Sequence, residues 1–164
     1  MKNKVAYFGV FVALALIFSY VETLIPVIIA VPGVKLGLTN LIVVVVLYKM
    51  NFKSAALISI TRILLSGFLF ANMASIMYSL AGGMLSLIVM SVLKRTNAFH
   101  LISISIAGGV SHNIGQLIVA MLVLKTYSLI YYFSVLMIAG LVTGAIIGIV
   151  ANEMLKRLTN INMK

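Results

Sequence analysis

Six blocks of mostly apolar residues, parted by short loops, dominate this chain, and its Lys and Arg fall overwhelmingly at every second boundary between them. A block of about 20 apolar residues matches the hydrocarbon thickness of a bilayer when coiled as a helix. In lipid, only helices and closed barrels satisfy their own backbone N–H and C=O groups. The blocks run from Val5 to Thr23, Leu36 to Met50, Ser54 to Phe70, Met73 to Leu93, Ala98 to Leu124 and Tyr127 to Ala151. With 63% hydrophobic residues and only two acidic side chains, the sequence predicts an all-α integral membrane protein. The expected architecture is a six-transmembrane-helix bundle forming a single domain over residues 1–164.

The second block is the weak one. Its core, Leu38 to Tyr48, is short for a bilayer of ~30 Å at ~1.5 Å per residue, so a re-entrant hairpin competes with a crossing. Charge decides between them. With six crossings and a cytoplasmic N-terminus, Lys2, Lys4, Lys49, Lys53, Lys94, Arg95, Lys156, Arg157 and Lys164 lie inside, and only Lys35 and Lys125 lie outside. Removing the second crossing would carry Lys49, Lys53, Lys94 and Arg95 to the outer side, against the positive-inside bias. Both termini are therefore expected in the cytoplasm.

The net charge of +10 does not indicate a nucleic-acid partner, because the cations are dispersed as membrane-flanking pairs suited to anionic lipid. The absence of cysteine excludes disulfides, thiolate metal sites and thiol catalysis. Lys2, Lys4 and the apolar run after them resemble a signal peptide. With five further spans and no convincing A-x-A site, an uncleaved first helix is expected. The longest segment between spans, Leu24 to Lys35, holds Pro26, Pro32 and Gly33. Its apolar run, Ile25 to Val31, is too short to span and should lie across the outer mouth of the bundle, as a lid or a passive interfacial loop.

Small residues mark packing ridges. Gly140, Gly144 and Gly148 align on one face of the sixth helix, and Ser75, Ser79 and Gly83 form a comparable row on the fourth. Gly9 and Ala13 form a shorter pair on the first. Ionisable groups at membrane depth carry more information, since an Arg at a helix centre costs about 2.5 to 3.5 kcal/mol even on the lower scales. Arg62 lies nine positions beyond Lys53, roughly 13 Å into the bilayer, so it must face the bundle interior and a partner. On the fifth helix, His112, Asn113 and Gln116 project to one side at the same depth. Toward the outer mouth lie Tyr20, Glu22, Lys35, Thr39, Asn40, Asn72 and Tyr78, which either join an outward-facing polar pocket or only bond one another as polar glue. With the two acids at Glu22 and Glu153, near opposite membrane faces, an anionic ligand group would balance Arg62.

Absent motifs narrow the chemistry. There is no D-D-x-x-D-like pair of carboxylates to hold magnesium on a diphosphate, no Walker sequence and no H-E-x-x-H, and no cofactor is expected. The inverted repeat common in secondary transporters is not evident.

The string Pro32-Gly33-Val34-Lys35-Leu36-Gly37-Leu38-Thr39-Asn40, with His112-Asn113-Ile114-Gly115-Gln116, resembles a small bacterial membrane family known both as Gx transporter proteins and as heptaprenyl diphosphate synthase component I. That family in turn looks like the substrate-binding S-components of energy-coupling-factor vitamin transporters, with six helices, an outward pocket and a first outer loop that closes it. The resemblance implies a multi-pass protein of the bacterial cytoplasmic membrane that binds a small molecule for an importer driven by a transmembrane coupling subunit and ATPases. Arg62, His112, Asn113 and Gln116 would hold the polar part of the ligand, with Lys35 and Asn40 closing from above. Gly9 and Ala13 would dock the coupling subunit, although Gly-xxx-Ala departs from the usual Ala-xxx-Ala. The family's other name implies a non-catalytic membrane subunit in heptaprenyl diphosphate or quinone biosynthesis. A third reading is a structural partner in a redox complex.

Overall fold

The computed structural model describes residues 2–24 and 37–158. Among the described residues every regular element is helical: α1 (Lys2–Leu24), α2 (Leu38–Lys49), α3 (Phe52–Phe70), α4 (Met73–Thr96), α5 (Leu101–Leu124) and α6 (Phe133–Arg157), with a 3-10 turn at Tyr127–Tyr132 before α6. Five stretches are long and apolar enough to cross a membrane, and only α2, at 12 residues, falls short. Lys35 and the expected lid from position 25 onward lie outside the described residues.

Polarity is distributed inside out. On α1, Phe11, Ala15, Ser19 and Glu22 recur on one face and are buried, whereas Val5, Val10, Leu14, Ile17 and Val21 are exposed. The same holds for Phe68 and Leu69 on α3, Leu122 on α5 and Ile138 and Ile146 on α6, while Arg62, His112, Asn113 and Gln116 are buried. Water would reverse this arrangement, because exposed apolar area is unfavourable there. Lipid favours it, and the chain is a multi-pass membrane protein.

Side-chain contacts fix an alternating up-and-down order. Tyr20 near the end of α1 packs against Phe70 at the end of α3, with ring centroids 5.1 Å apart. At the opposite end, Lys94 near the close of α4 and Leu158 after α6 both bond to the close of α2, through the Leu47 carbonyl and the Lys49 ammonium. Lys49, Lys53, Lys94, Arg95, Lys156 and Arg157 thus gather at one end of the bundle, its basic end. Asn51 and Asn72 open α3 and α4 in the same way, each side chain accepting from the backbone N–H three residues on, at 2.8 and 2.9 Å. Asn72 is therefore a helix cap rather than a wall of a pocket.

The short second helix is the centre of the bundle. Every residue from Leu41 to Leu47 is buried, and α2 touches α1, α3, α4 and α6. A helix of about 18 Å cannot meet both interfaces of a ~30 Å bilayer, and α2 does not need to, since protein surrounds it. Its run of Val43 to Val46 is apolar all round because no face of it meets lipid headgroups or water.

The α5–α6 seam is closely packed along its length. A Cβ placed on Gly140, Gly144 or Gly148 would lie 2.7–3.0 Å from backbone atoms of α5, so the two backbones touch where side chains would hold them apart. Gly109 on α5 meets this row from the other side, against the Gly140 carbonyl. The sixth apolar block departs from its expected limits: residues 127–132 form the 3-10 turn, and α6 continues beyond Ala151 to Arg157, whose last turn holds Lys156 and Arg157 on the favourable side of the helix dipole.

Candidate functional site

The polar cluster is organised by the N-terminus of α2. Gly37 precedes the helix with φ +75°, in the left-handed region that glycine occupies without Cβ strain. No side chain of its own caps the helix. The carboxylate of Glu22 does so from α1, accepting from the Gly37 N–H and, at 3.3 Å, from the Thr39 hydroxyl, and Ser19 lies 3.2 Å from that hydroxyl. Only 6% of Glu22 is exposed, so its charge opposes the positive end of the helix dipole with little screening.

One residue further, Asn40 Oδ1 accepts from Arg62 Nη2 at 3.3 Å. Arg62 is 7% exposed, and its Nε has no hydrogen-bond partner among the described residues. Among the described residues no salt bridge joins Arg62 to Glu22, but both bond to the first turn of α2, Glu22 at Gly37 and Thr39 and Arg62 at Asn40. This revises the expectation from sequence that Arg62 stands far from any acid. α1 packs beside α3, and Glu22 and Arg62 flank the same helix end.

On its other side Asn40 borders a cavity of about 10 Å³, room for about one water, shared with Ser86 of α4, Ser105, His112 and Asn113 of α5 and Thr143 of α6. Asn113 donates to the Leu136 carbonyl of α6 at 2.8 Å, which pins α5 to α6 at this level. His112 and Gln116 face α4, where Gly82 makes room: a Cβ there would lie 2.6 Å from the His112 carbonyl oxygen and 2.8 Å from Gln116 Cγ.

The expected ligand set thus divides. Arg62 and Asn40 form a bonded pair, and Asn40, His112 and Asn113 surround the cavity. Gln116 sits beside His112 in the α4–α5 contact, and Lys35 lies outside the described residues. Gly9 and Ala13 lie in the first half of α1, away from Glu22, on its exposed face, and a Cβ on Gly9 would meet nothing within 4 Å among the described residues. Sequence reasoning missed Ser86 and Ser105. Ser86 is 2% exposed with no partner for its hydroxyl among the described residues, and it stands four residues past Gly82 on the face of α4 turned to α5. Its position on the small-residue side of α4 was the available signal.

Chemically, the cluster offers a guanidinium N–H, amides, hydroxyls and an imidazole around a helix N-terminus already held by a carboxylate. Such groups can hold and orient a polar group through hydrogen bonds. Among the described residues no set of three His, Cys, Asp or Glu side chains comes together as a metal site.

Fold and site together define a helical multi-pass membrane protein whose interior polar groups are gathered around one short buried helix. The family model described as heptaprenyl diphosphate synthase component I matches residues 11–154, and the chain belongs to that family. No curated protein and no solved structure matches the chain. Of the two functions that the sequence resemblance implies, family membership favours the synthase component.

Proposed function

We propose that this chain is the non-catalytic membrane subunit of a heptaprenyl diphosphate synthase, working beside a partner component that carries the chemistry. In this reading it lies in the bacterial cytoplasmic membrane as one six-crossing domain with both termini in the cytoplasm, so the basic end faces the compartment where a soluble partner would dock. The observation that carries the reading is the family match over 11–154 combined with the fate of the two acids. Glu22 caps α2 deep in the bundle, and Glu153 pairs with Lys156 and Arg157 at 3.6 and 3.4 Å. Neither is placed beside a second carboxylate, and diphosphate-bound magnesium needs such oxygen ligands. A long prenyl chain partitions into lipid as it grows, so a membrane subunit has a use in holding the catalytic component where its product accumulates.

A second reading is supported by the Nε of buried Arg62, which has no partner among the described residues: a substrate-binding subunit of an importer, with Arg62, His112, Asn113 and Gln116 holding an anionic ligand beneath Lys35 and Asn40, and Gly9 and Ala13 docking a coupling subunit. One reconstitution distinguishes them. In proteoliposomes with the partner synthase component, prenyl elongation should rise when this chain is present and be absent with this chain alone. Indifference of the partner to this chain, together with ATP-dependent uptake when coupling subunits replace it, would establish the importer instead.

A further inference from the structure

A second cavity lies at the basic end, far from the Glu22–Arg62 cluster. It has a volume of about 200 Å³ and is lined by Leu47 of α2, Phe52 of α3, and Ser91, Lys94 and Arg95 of α4. Water needs only ~10–15 Å³ of such space, so a polyatomic group fits here where only water fits beside Asn40. We infer that this cleft binds a phosphate or diphosphate group, with the first carbons of an attached lipid chain resting on Leu47 and Phe52.

Four observations carry this. First, Lys94 is held in position: its ammonium donates to the Leu47 carbonyl at 2.5 Å and lies 4.6 Å from the centre of the Tyr48 ring, so the charge is placed before any ligand arrives. Second, Arg95 is exposed and makes no hydrogen bond or ion pair among the described residues, leaving a planar fork of donors that matches phosphate oxygens. Third, the cleft has no acidic wall. Glu153, the acid of this end, is engaged by Lys156 and Arg157 on its own helix, and Glu22 is at the other end of α2. Fourth, the lining sets apolar Leu47 of α2 and Phe52 of α3 against cationic Lys94 and Arg95 in the last turn of α4, the join of apolar and basic residues expected where a membrane helix passes from hydrocarbon to headgroups. Basic pockets between helices at that level take lipid phosphates. A single carboxylate would balance only one of the two cations, Lys94 and Arg95, whereas a phosphate or diphosphate carries charge for both.

The cleft's chemistry is independent of whether the chain serves a synthase or an importer. Its test uses the full chain in zwitterionic nanodiscs, with inorganic diphosphate, farnesyl diphosphate and nanodiscs doped with phosphatidylglycerol as three separate probes, each read by native mass spectrometry and ligand-dependent thermal shift. At least one probe should bind, and Arg95→Gln should weaken it about tenfold without altering the unliganded melting temperature. The exposed Arg157→Gln should leave binding within twofold. Binding by inorganic diphosphate as strong as by farnesyl diphosphate assigns the anion alone, and binding that requires a tail or the doped bilayer assigns a lipid. Both support the site. No binding by any probe, equal losses in Arg95→Gln and Arg157→Gln, or displacement of the phosphates by an equimolar acidic peptide would overturn it, the last by assigning the cleft to a protein segment.

Discussion

The two ends of α2 use the same electrostatics to opposite effect. At its N-terminus a buried carboxylate meets the positive end of the dipole, and Arg62, Asn40 and the α5 amides close around it until about one water's space is left. At its C-terminus Lys94 meets the negative end at the Leu47 carbonyl and Lys49 reaches across to the Leu158 carbonyl at the close of α6, yet a cavity some twenty times larger stays open beside them. Both ends obey the dipole rule. The difference lies in where the counter-charge comes from. The N-terminal end contains one acid and one base and balances itself within the protein. The C-terminal end contains only bases in its cleft, so its balance must come from outside the chain. A closed polar cluster is therefore weaker evidence for a ligand than an unbalanced cleft, even though the cluster holds the rarer residues.

The largest effect should follow from breaking the self-balanced end. Glu22→Gln keeps an acceptor for the Gly37 N–H but leaves the Arg62 charge buried without its acid, and should cost about 3 kcal/mol. Thermal unfolding of the detergent-solubilised protein measures it. Adding Arg62→Met should recover part of that loss, because the uncompensated charge goes with it. If instead the two losses simply add, the acid and the base do not balance one another and the comparison fails. A second way to open the same end is through its wall. Gly144 borders the cavity and sits 2.7 Å, from a would-be Cβ, against the Ile106 Cα. Gly144→Leu must part α5 from α6 and should cost about 1 to 3 kcal/mol, with a matching fall in melting temperature.

The basic end should resist more. Lys94→Met removes one bond to the Leu47 carbonyl and the contact with Tyr48, but the end is half-open to solvent and Lys49 remains on the last turn of α2. A loss of about 1 kcal/mol is expected by the same unfolding measurement. A loss equal to that of Glu22→Gln would show the two ends to be equally buried in energetic terms, against the contrast drawn from their cavities.

Much of the bundle is legible in the sequence because bilayer thickness and backbone satisfaction leave few choices: apolar blocks mark α1 and α3 to α6, and the glycine row on α6 marks a face that does meet α5 closely. The second block reads as a weak crossing, and periodicity cannot tell that it is a core helix, since a run such as Val43 to Val46 looks the same against lipid and against protein. The site is less legible. Arg62 and the α5 cluster stand out as expensive residues at membrane depth, but distance along the chain hides the approach of Glu22 to Arg62. A helix-capping acid and a ligand-binding acid look identical in a sequence. Ser86 and Ser105 are hard to single out for a different reason: serine is common in packing ridges, and the Ser86 hydroxyl is set apart only by having no partner among the described residues.

The smallest effect should come from the only salt bridges among the described residues, and its smallness sharpens the contrast between the ends. Glu153 pairs with Lys156 and Arg157 at helix spacings of three and four, with its own side chain 55% exposed and theirs 67% and 81%. Each contact gains little in high dielectric and costs side-chain entropy, so Glu153→Gln should change stability by only ~0.3 kcal/mol. Its effect on charge is larger than its effect on folding. Removing this acid leaves the basic end with no carboxylate among the described residues, so the affinity of the Lys94–Arg95 cleft for inorganic diphosphate should rise slightly, and more so at low ionic strength, where the Debye length grows from ~10 Å at 0.1 M to ~30 Å at 0.01 M. Titration of wild type and Glu153→Gln at those two salt concentrations checks it. A stability loss comparable to that of Glu22→Gln would mean that the exposed pairs hold the bundle together, and the distinction between a balanced interior and an unbalanced surface would fall with it.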